Sequence, residues 1–165
     1  MEINKKIDSD LKTLNEYNKE YSWIPNEYQI RPTEMLINMK KNLMEKIEKE
    51  YNSTRDYILI HLFYKNGEIV DGKLKVKEEN IKLNKFDVCR FRYQIDPQSF
   101  HYIMWYTCSK ESLTEEEINN DIKKEIYNII KSDNYSFIWY ENTKMTIEDI
   151  YHVQVFWKKL IINNY

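Results

Sequence analysis

Apolar residues recur along this chain at two spacings, one typical of helices and the other typical of strands. The helical spacing predicts four helices, over residues 4–20, 33–51, 57–63 and 114–130. Thr33 is suited to cap the second helix, and Ser53-x-x-Asp56 and Thr114-x-x-Glu117 have the form of capping boxes for the third and fourth. In the second helix, the face expected to be buried comprises Leu36, Met39, Leu43, Ile47 and Tyr51.

Alternation of apolar and polar residues predicts strands in the second half of the chain. The predicted strands cover residues 73–77, 88–95, 101–106, 136–140 and 152–158. The pair Asp96-Pro97 separates the second strand from the third. The third strand has bulky side chains on both faces, so we expect it to lie inside a sheet that is covered on both sides. A single helical turn is expected at residues 146–150.

The order of these elements indicates the fold class. Helices come first and strands follow, with one long helix between strands, which is typical of an α+β domain. We predict a mostly antiparallel sheet of about four or five strands with helices packed on it, over one face. Residues 1–31 form an N-terminal helix and an aromatic linker in which Trp23 pins the loop, and residues 32–165 form the α+β core. A length of 165 residues favours one compact domain overall.

Composition and charge exclude several function classes. The formal net charge is −2, so no global attraction to nucleic acid or to an anionic membrane is expected. Two glycines are too few for the glycine-rich loops that cradle nucleotide phosphates. The N-terminus has no apolar signal region, and no apolar run is long enough to span a membrane. The two cysteines, Cys89 and Cys108, fit reduced thiols, and we expect a soluble cytoplasmic protein.

Two predicted strands carry the residues most suited to chemistry. If these strands pair, His101 and His152 come side by side as acid and base, with Arg90 and Arg92 binding an oxyanion. The ligand-binding set predicted for this pocket is Arg90, Arg92, Tyr93 and Gln154. The competing interpretation is a buried, hydrogen-bonded pair of structural histidines. A zinc site would need His61 as well, but the spacing of the three histidines does not favour one, so no metal or cofactor is expected.

The aromatic residues are numerous, and most occupy spacings typical of a core. Four of them cluster instead on the first helix and the following loop: Tyr17, Tyr21, Trp23 and Tyr28. An exposed aromatic patch of this kind is typical of a surface that contacts a protein partner. A protein partner at this segment is therefore one expectation, and a phosphate or sugar-like ligand at the histidine pocket is the other.

Several motifs in the second half of the chain have a recognisable order. They are Tyr93, Asp96-Pro97, a strand from His101 to Trp105, Trp139 with Asn142, and a final strand that begins at His152. From about Tyr51 to Lys158, this succession resembles the domain-of-unknown-function family typified by fungal N-acetylglucosamine-induced proteins, which has members in large DNA viruses. This chain departs from the family pattern at two places. In the last strand, Gln154 stands where the family has a second histidine. Before Tyr93, the proline and the aromatic residue that are usual in the family are replaced by Arg92 and Phe91.

The compact length and the abundance of Asn, Lys and Ile fit a viral member of this family, which would act in the host cytoplasm, and the resemblance implies no assigned activity. We therefore expect an interaction or ligand-binding protein. The alternative is a small enzyme whose His/Arg pocket acts on a phosphorylated or sugar-like small molecule.

Overall fold

The computed structural model describes residues 2–77, 81–142 and 147–161. In chain order, its elements are β1 (Asn4–Lys6), α1 (Leu11–Glu20), α2 (Glu34–Glu50), α3 (Thr54–His61), β2 (Gly67–Val70), β3 (Lys73–Val76), β4 (Asn84–Val88), β5 (Phe100–Tyr106), α4 (Glu115–Ile130), β6 (Tyr135–Tyr140) and β7 (His152–Lys159). These elements form a mixed α+β domain, which confirms the predicted fold class.

Three helices begin where the sequence predicts. The side chain of Thr33 accepts a hydrogen bond from the backbone of α2, and Ser53 and Thr114 do the same for α3 and α4. These caps satisfy backbone N–H groups that have no partner within the helix. Asp10 caps α1 in the same way, through a bond of 2.8 Å from the backbone nitrogen of Thr13.

The main sheet has five strands in the order β1-β6-β7-β5-β4. β1 runs parallel to β6, and the other three pairings are antiparallel. β7 lies at the centre, and its residues 152–157 are all buried. β2 and β3 form a separate antiparallel hairpin; the sequence predicted β3 but not β2.

Helices cover both faces of the main sheet, so the prediction that they lie over one face is wrong. On one face, Ile118, Ile122 and Ile126 of α4 pack against the sheet. On the opposite face, Leu14 of α1 packs at one end and Ile58 of α3 at the other. The inner strands are apolar on both sides, and a single helical layer would have left one of those sides in water.

The prediction of one helix over residues 4–20 is also wrong. Residues 4–6 form β1, whose register places Asn4 beside Phe137 and Lys6 beside Trp139. Ile3 precedes the strand and Ile7 follows it, and both are buried. The helix begins only after Asp10, because the side chain of Asp10 caps the first turn of α1.

The predicted strand over residues 88–95 is misplaced, because β4 ends at Val88. After Cys89, the backbone leaves the sheet and finds other partners. The backbone nitrogen of Gln94 donates to the carbonyls of Gln29 and Arg31, and the Arg92 guanidinium donates to two carbonyls of its own loop. The expected helical turn at 146–150 is absent from residues 147–150, and Thr146 lies outside the described residues.

Candidate functional site

A cleft of about 420 Å³ lies between helices α2 and α3 and the face of the sheet that they cover. Its floor is formed by alternate residues of two paired strands, Ile103 and Trp105 of β5 and His152 and Gln154 of β7. One wall consists of Leu43 and other apolar residues of α2 and α3, and the opposite wall is the loop that follows β4. The volume lies within the ordinary range for small-molecule sites.

Lys40 of α2 points into this cleft although it stands in an apolar helix face. Leu36, Lys40, Leu43 and Ile47 follow one another at spacings of four, three and four residues, which places them on the same side of α2. Met39, which the sequence assigned to the buried face, is 54% exposed instead. Lys40 is therefore the position at which a cation interrupts the buried stripe of the helix.

The ammonium group of Lys40 has no carboxylate within ion-pair distance in the part of the chain that the structure describes. Its nearest recorded aromatic contact is the ring of Phe91, whose centroid lies 5.9 Å from Nζ. Burial lowers the pKa of Lys40 below its ordinary value of 10.5, and the neighbouring Cys89 opposes this loss of hydration only in part. A bound anion would supply the missing compensation.

The charged residues that line the cleft give it a positive balance. Among the described residues that line it, Arg31, Lys40 and Arg90 contribute three positive charges, and Asp87 contributes one negative charge. The resulting net of +2 contrasts with the −2 of the whole chain. Arg90 is exposed, and its guanidinium donates to the Tyr57 hydroxyl at 3.3 Å across the cleft entrance. The cleft therefore favours an anion although the protein as a whole does not.

His101 is a fully hydrogen-bonded, buried imidazole. Its Nε2 donates to the side-chain oxygen of Gln154 at 2.6 Å, and its Nδ1 accepts from the backbone nitrogen of Tyr93 at 3.3 Å. Its ring stacks on Phe156 at 4.4 Å between centroids. Burial lowers the pKa of His101, the bond to Gln154 opposes this effect and the nearby Arg92 adds to it, so that the pKa is about 4. His101 therefore ties the loop after β4 to the central strand as a neutral group.

His152 has a different environment, because only one of its ring nitrogens is used. Nδ1 lies 2.9 Å from the carbonyl oxygen of Ile150, and a carbonyl can only accept, so Nδ1 carries the proton. Nε2 is then an unprotonated acceptor, and it makes no hydrogen bond within residues 2–77, 81–142 and 147–161. The ring stacks on Trp105 at 4.5 Å, and burial lowers its pKa.

The strand pairing keeps the two histidines apart. β5 and β7 do pair, but the register sets His101 opposite Phe156 and His152 opposite Trp105. Four residues of strand separate the two positions, which is about 13 Å. The two imidazoles therefore do not act on one reacting atom as an acid-base pair.

The remaining predicted site residues divide between the cleft and its surroundings. Arg90, Tyr93 and Gln154 line the cleft. Arg92 does not, because its Nη2 donates to the carbonyl oxygens of Asp96 and Ser99 at 2.8 and 2.7 Å. Arg92 thus holds the loop after β4 in shape and is not available to a ligand in the cleft.

Cys89 also lines the cleft, beside Lys40. Burial raises the pKa of its thiol to about 11, so the group stays protonated near neutral pH. Both cysteines are free thiols. Among the described residues, no group of three or more His, Cys, Asp or Glu side chains is placed to hold a metal ion.

The four N-terminal aromatic residues do not form one exposed patch. Trp23 is buried, as expected for a residue that pins its loop, and Tyr17 and Tyr21 pack partly buried around the same cluster. Tyr28 is 83% exposed. None of the helices in the described ranges is long and apolar enough to cross a membrane.

Sequence reasoning missed two residues that shape the cleft, Lys40 and Asp87. The signal for Lys40 is its place in the apolar stripe of α2, which a count of helical spacing can find. Asp87 gave no such signal, because its position depends on where β4 ends. Two aromatic residues, Tyr57 and Trp105, also face the cleft, although neither was predicted from the sequence to be a site residue.

The fold and this geometry define an α+β protein with a largely apolar cleft that is lined by cationic side chains. No protein-family model and no curated protein sequence matches the chain. A solved structure described as "Crystal Structure of HTC1" is similar over 92% of this chain and 84% of that chain, with 11% sequence identity and a TM-score of 0.45. A likeness at this level carries no argument about function, and the family resemblance of the motifs stays a prediction.

Proposed function

We propose that this protein binds a small anionic molecule, such as a phosphorylated metabolite, in the cleft between α2, α3 and the sheet. The observation that carries this proposal is Lys40, a half-buried cation in an apolar helix face with no carboxylate partner among the described residues. Burying a charge without a partner costs free energy, so the arrangement is best satisfied by an anion from outside the chain.

The rest of the cleft suits the neutral part of such a ligand. Leu43 and Ile47 provide apolar contact on one side, and Trp105 and Tyr57 provide aromatic surfaces. Arg90 lies at the entrance, where a guanidinium can bind phosphate or carboxylate oxygens in a bidentate manner. The ligand would thus place its anionic group at Lys40 and Arg90 and its body over the aromatic floor.

The direct test is to titrate the protein with phenyl phosphate and with inorganic phosphate and to measure the binding by calorimetry. The variant Lys40→Gln should bind phenyl phosphate about tenfold to a hundredfold more weakly, since a hydrogen bond to a charged group contributes about 1.5–3 kcal/mol. Lys41→Gln is the matched control, because Lys41 is the exposed neighbour on the same helix and should change the affinity less than twofold. Equal affinities for the two variants would refute the proposal.

The second candidate function is a small enzyme that acts on the same molecule, and His152 is the observation that favours it. Its unprotonated Nε2 is the histidine nitrogen suited to take a proton from a bound molecule, whereas both nitrogens of His101 are occupied. A viral origin, a location in the host cytoplasm and a protein partner at the N-terminal aromatic segment of Tyr17, Tyr21, Trp23 and Tyr28 remain predictions from the sequence.

A further inference from the structure

The floor of the cleft carries two polar groups whose hydrogen-bonding roles are fixed by the protein. The Nδ1 proton of His152 is committed to the carbonyl of Ile150, so Nε2 can only accept. The side-chain oxygen of Gln154 accepts from His101, which leaves its amide nitrogen as a donor. Neither the Nε2 of His152 nor the amide nitrogen of Gln154 has a hydrogen-bond partner in the chain as far as it is described.

These two groups lie next to each other on one face of β7. His152 and Gln154 are two residues apart, so their side chains emerge from the same side of the strand, about 7 Å apart. Both line the cleft, and Asp87 of β4, the edge strand on the far side of β5, lines it as well and adds a further acceptor. An entirely apolar ligand body would cover these groups without pairing them, which would cost free energy.

From this arrangement we infer that the ligand is a polyhydroxylated anion, such as a sugar phosphate or an inositol phosphate, in which one hydroxyl donates to Nε2 of His152 and another oxygen accepts from the amide of Gln154. This inference rests on the proposed anion site and adds the chemical class of its ligand. His152 is then a residue that determines specificity: it selects hydroxylated anions over apolar ones of equal size.

Trp105 supports the same class of ligand. Its ring stacks on His152 and holds the imidazole in place, and an aromatic surface in a cleft packs well against the C–H face of a sugar or cyclitol ring. A flat aromatic ligand could also stack there, but it would leave the Nε2 acceptor and the amide donor without partners. The polar groups of the cleft floor therefore favour a sugar or cyclitol ring over a flat aromatic ligand.

The test compares two phosphates that share a six-membered ring, inositol 1-phosphate and cyclohexyl phosphate. Wild-type protein should bind inositol 1-phosphate about tenfold more tightly, the discrimination that one or two buried hydrogen bonds provide. His152→Phe keeps an aromatic ring on Trp105 but removes the acceptor, so it should reduce the tenfold preference to about threefold, the part that the amide of Gln154 still provides. Lys40→Gln should weaken both ligands by a similar factor and leave their ratio unchanged.

A second measurement does not depend on the variants. In wild-type protein, nitrogen-15 NMR of the imidazole side chains distinguishes protonated from unprotonated ring nitrogens. The Nε2 signal of His152 should move when inositol 1-phosphate is added and stay unmoved with cyclohexyl phosphate. If both phosphates bind equally and the signal does not move, the inference is overturned while the anion site stands. If neither phosphate binds, the proposed function and the inference fail together.

Discussion

His101 links the stability of this protein to pH, and the size of the effect follows from its environment. The pKa of a histidine in an unfolded chain is about 6.5, and burial lowers that of His101 to about 4 in the fold. The folded state thus favours the neutral imidazole. The stabilisation is fully present above about pH 6.5 and is lost as the pH falls towards 4, because the unfolded chain then binds a proton that the folded one rejects.

The magnitude can be worked from these two pKa values. Between pH 7 and pH 4.5, the difference in proton binding at this one site lowers the free energy of unfolding by about 2.5 kcal/mol. That is a large part of the 5–15 kcal/mol typical of a domain. His152 acts in the same direction, since burial also lowers its pKa.

The assay is urea denaturation of wild type and of His101→Gln at pH 7 and pH 4.5. Glutamine can donate and accept a hydrogen bond as the neutral imidazole does, but it does not titrate. The variant should therefore lose about 2.5 kcal/mol less than wild type on acidification, because every other titrating group contributes equally to both proteins.

Equal losses in the two proteins would refute this reasoning. So would an NMR titration in which the His101 ring protons of the folded protein follow a pKa near 6.5. The NMR measurement needs only wild-type protein, so it decides the question even if His101→Gln is too unstable to purify.

Two further predictions concern stability, measured by urea denaturation. Asp56 is buried, and its Oδ1 accepts a hydrogen bond of 2.8 Å from the backbone nitrogen of Val76. Asp56→Ala should therefore lower the free energy of unfolding by about 1.5–3 kcal/mol, whereas Glu68→Ala, at an exposed position, should change it by less than about 0.5 kcal/mol. On α4, Ile122 is fully buried and Ile129 is 47% exposed, so Ile122→Ala should cost about 2–5 kcal/mol and Ile129→Ala less than about 1 kcal/mol; similar costs for the two would contradict the packing of this helix.

The elements that the sequence predicted well are those with local determinants. Each of the helices α2, α3 and α4 begins after a serine or threonine whose side chain caps the first turn. The capping residue and the backbone N–H that it binds lie only three residues apart, so the sequence alone reveals the start of the helix. β5, β6 and β7 are dense in β-branched and aromatic residues, and their bounds were predicted to within a residue or so.

The errors fall where distant parts of the chain decide the structure. The alternation after Cys89 looks like a strand, but the backbone of Gln94 bonds to residues 29 and 31, more than sixty positions away. Residues 4–6 have the spacing of a helix, yet β6 offers them a free strand edge. The cleft could not be predicted for the same reason, because residues of α2, α3, β5 and β7, which lie far apart in the chain, line it together.

The central strand β7 shows how a buried segment can carry a functional signal. Towards α4 it presents Val153, Val155 and Trp157, and the one polar side-chain atom among them, the buried indole nitrogen of Trp157, has no hydrogen-bond partner among the described residues. Towards the cleft it presents His152, Gln154 and Phe156, two of which are polar although all are buried. A strand covered on both faces gains the most stability from apolar residues on both, since each buried polar group needs a partner. His101 supplies a partner for Gln154, but the chain as described supplies none for the Nε2 of His152. The face of β7 that carries His152 and Gln154 also lines the cleft, so its polar groups, unlike the buried indole nitrogen of Trp157, can be paired by a molecule other than the protein itself.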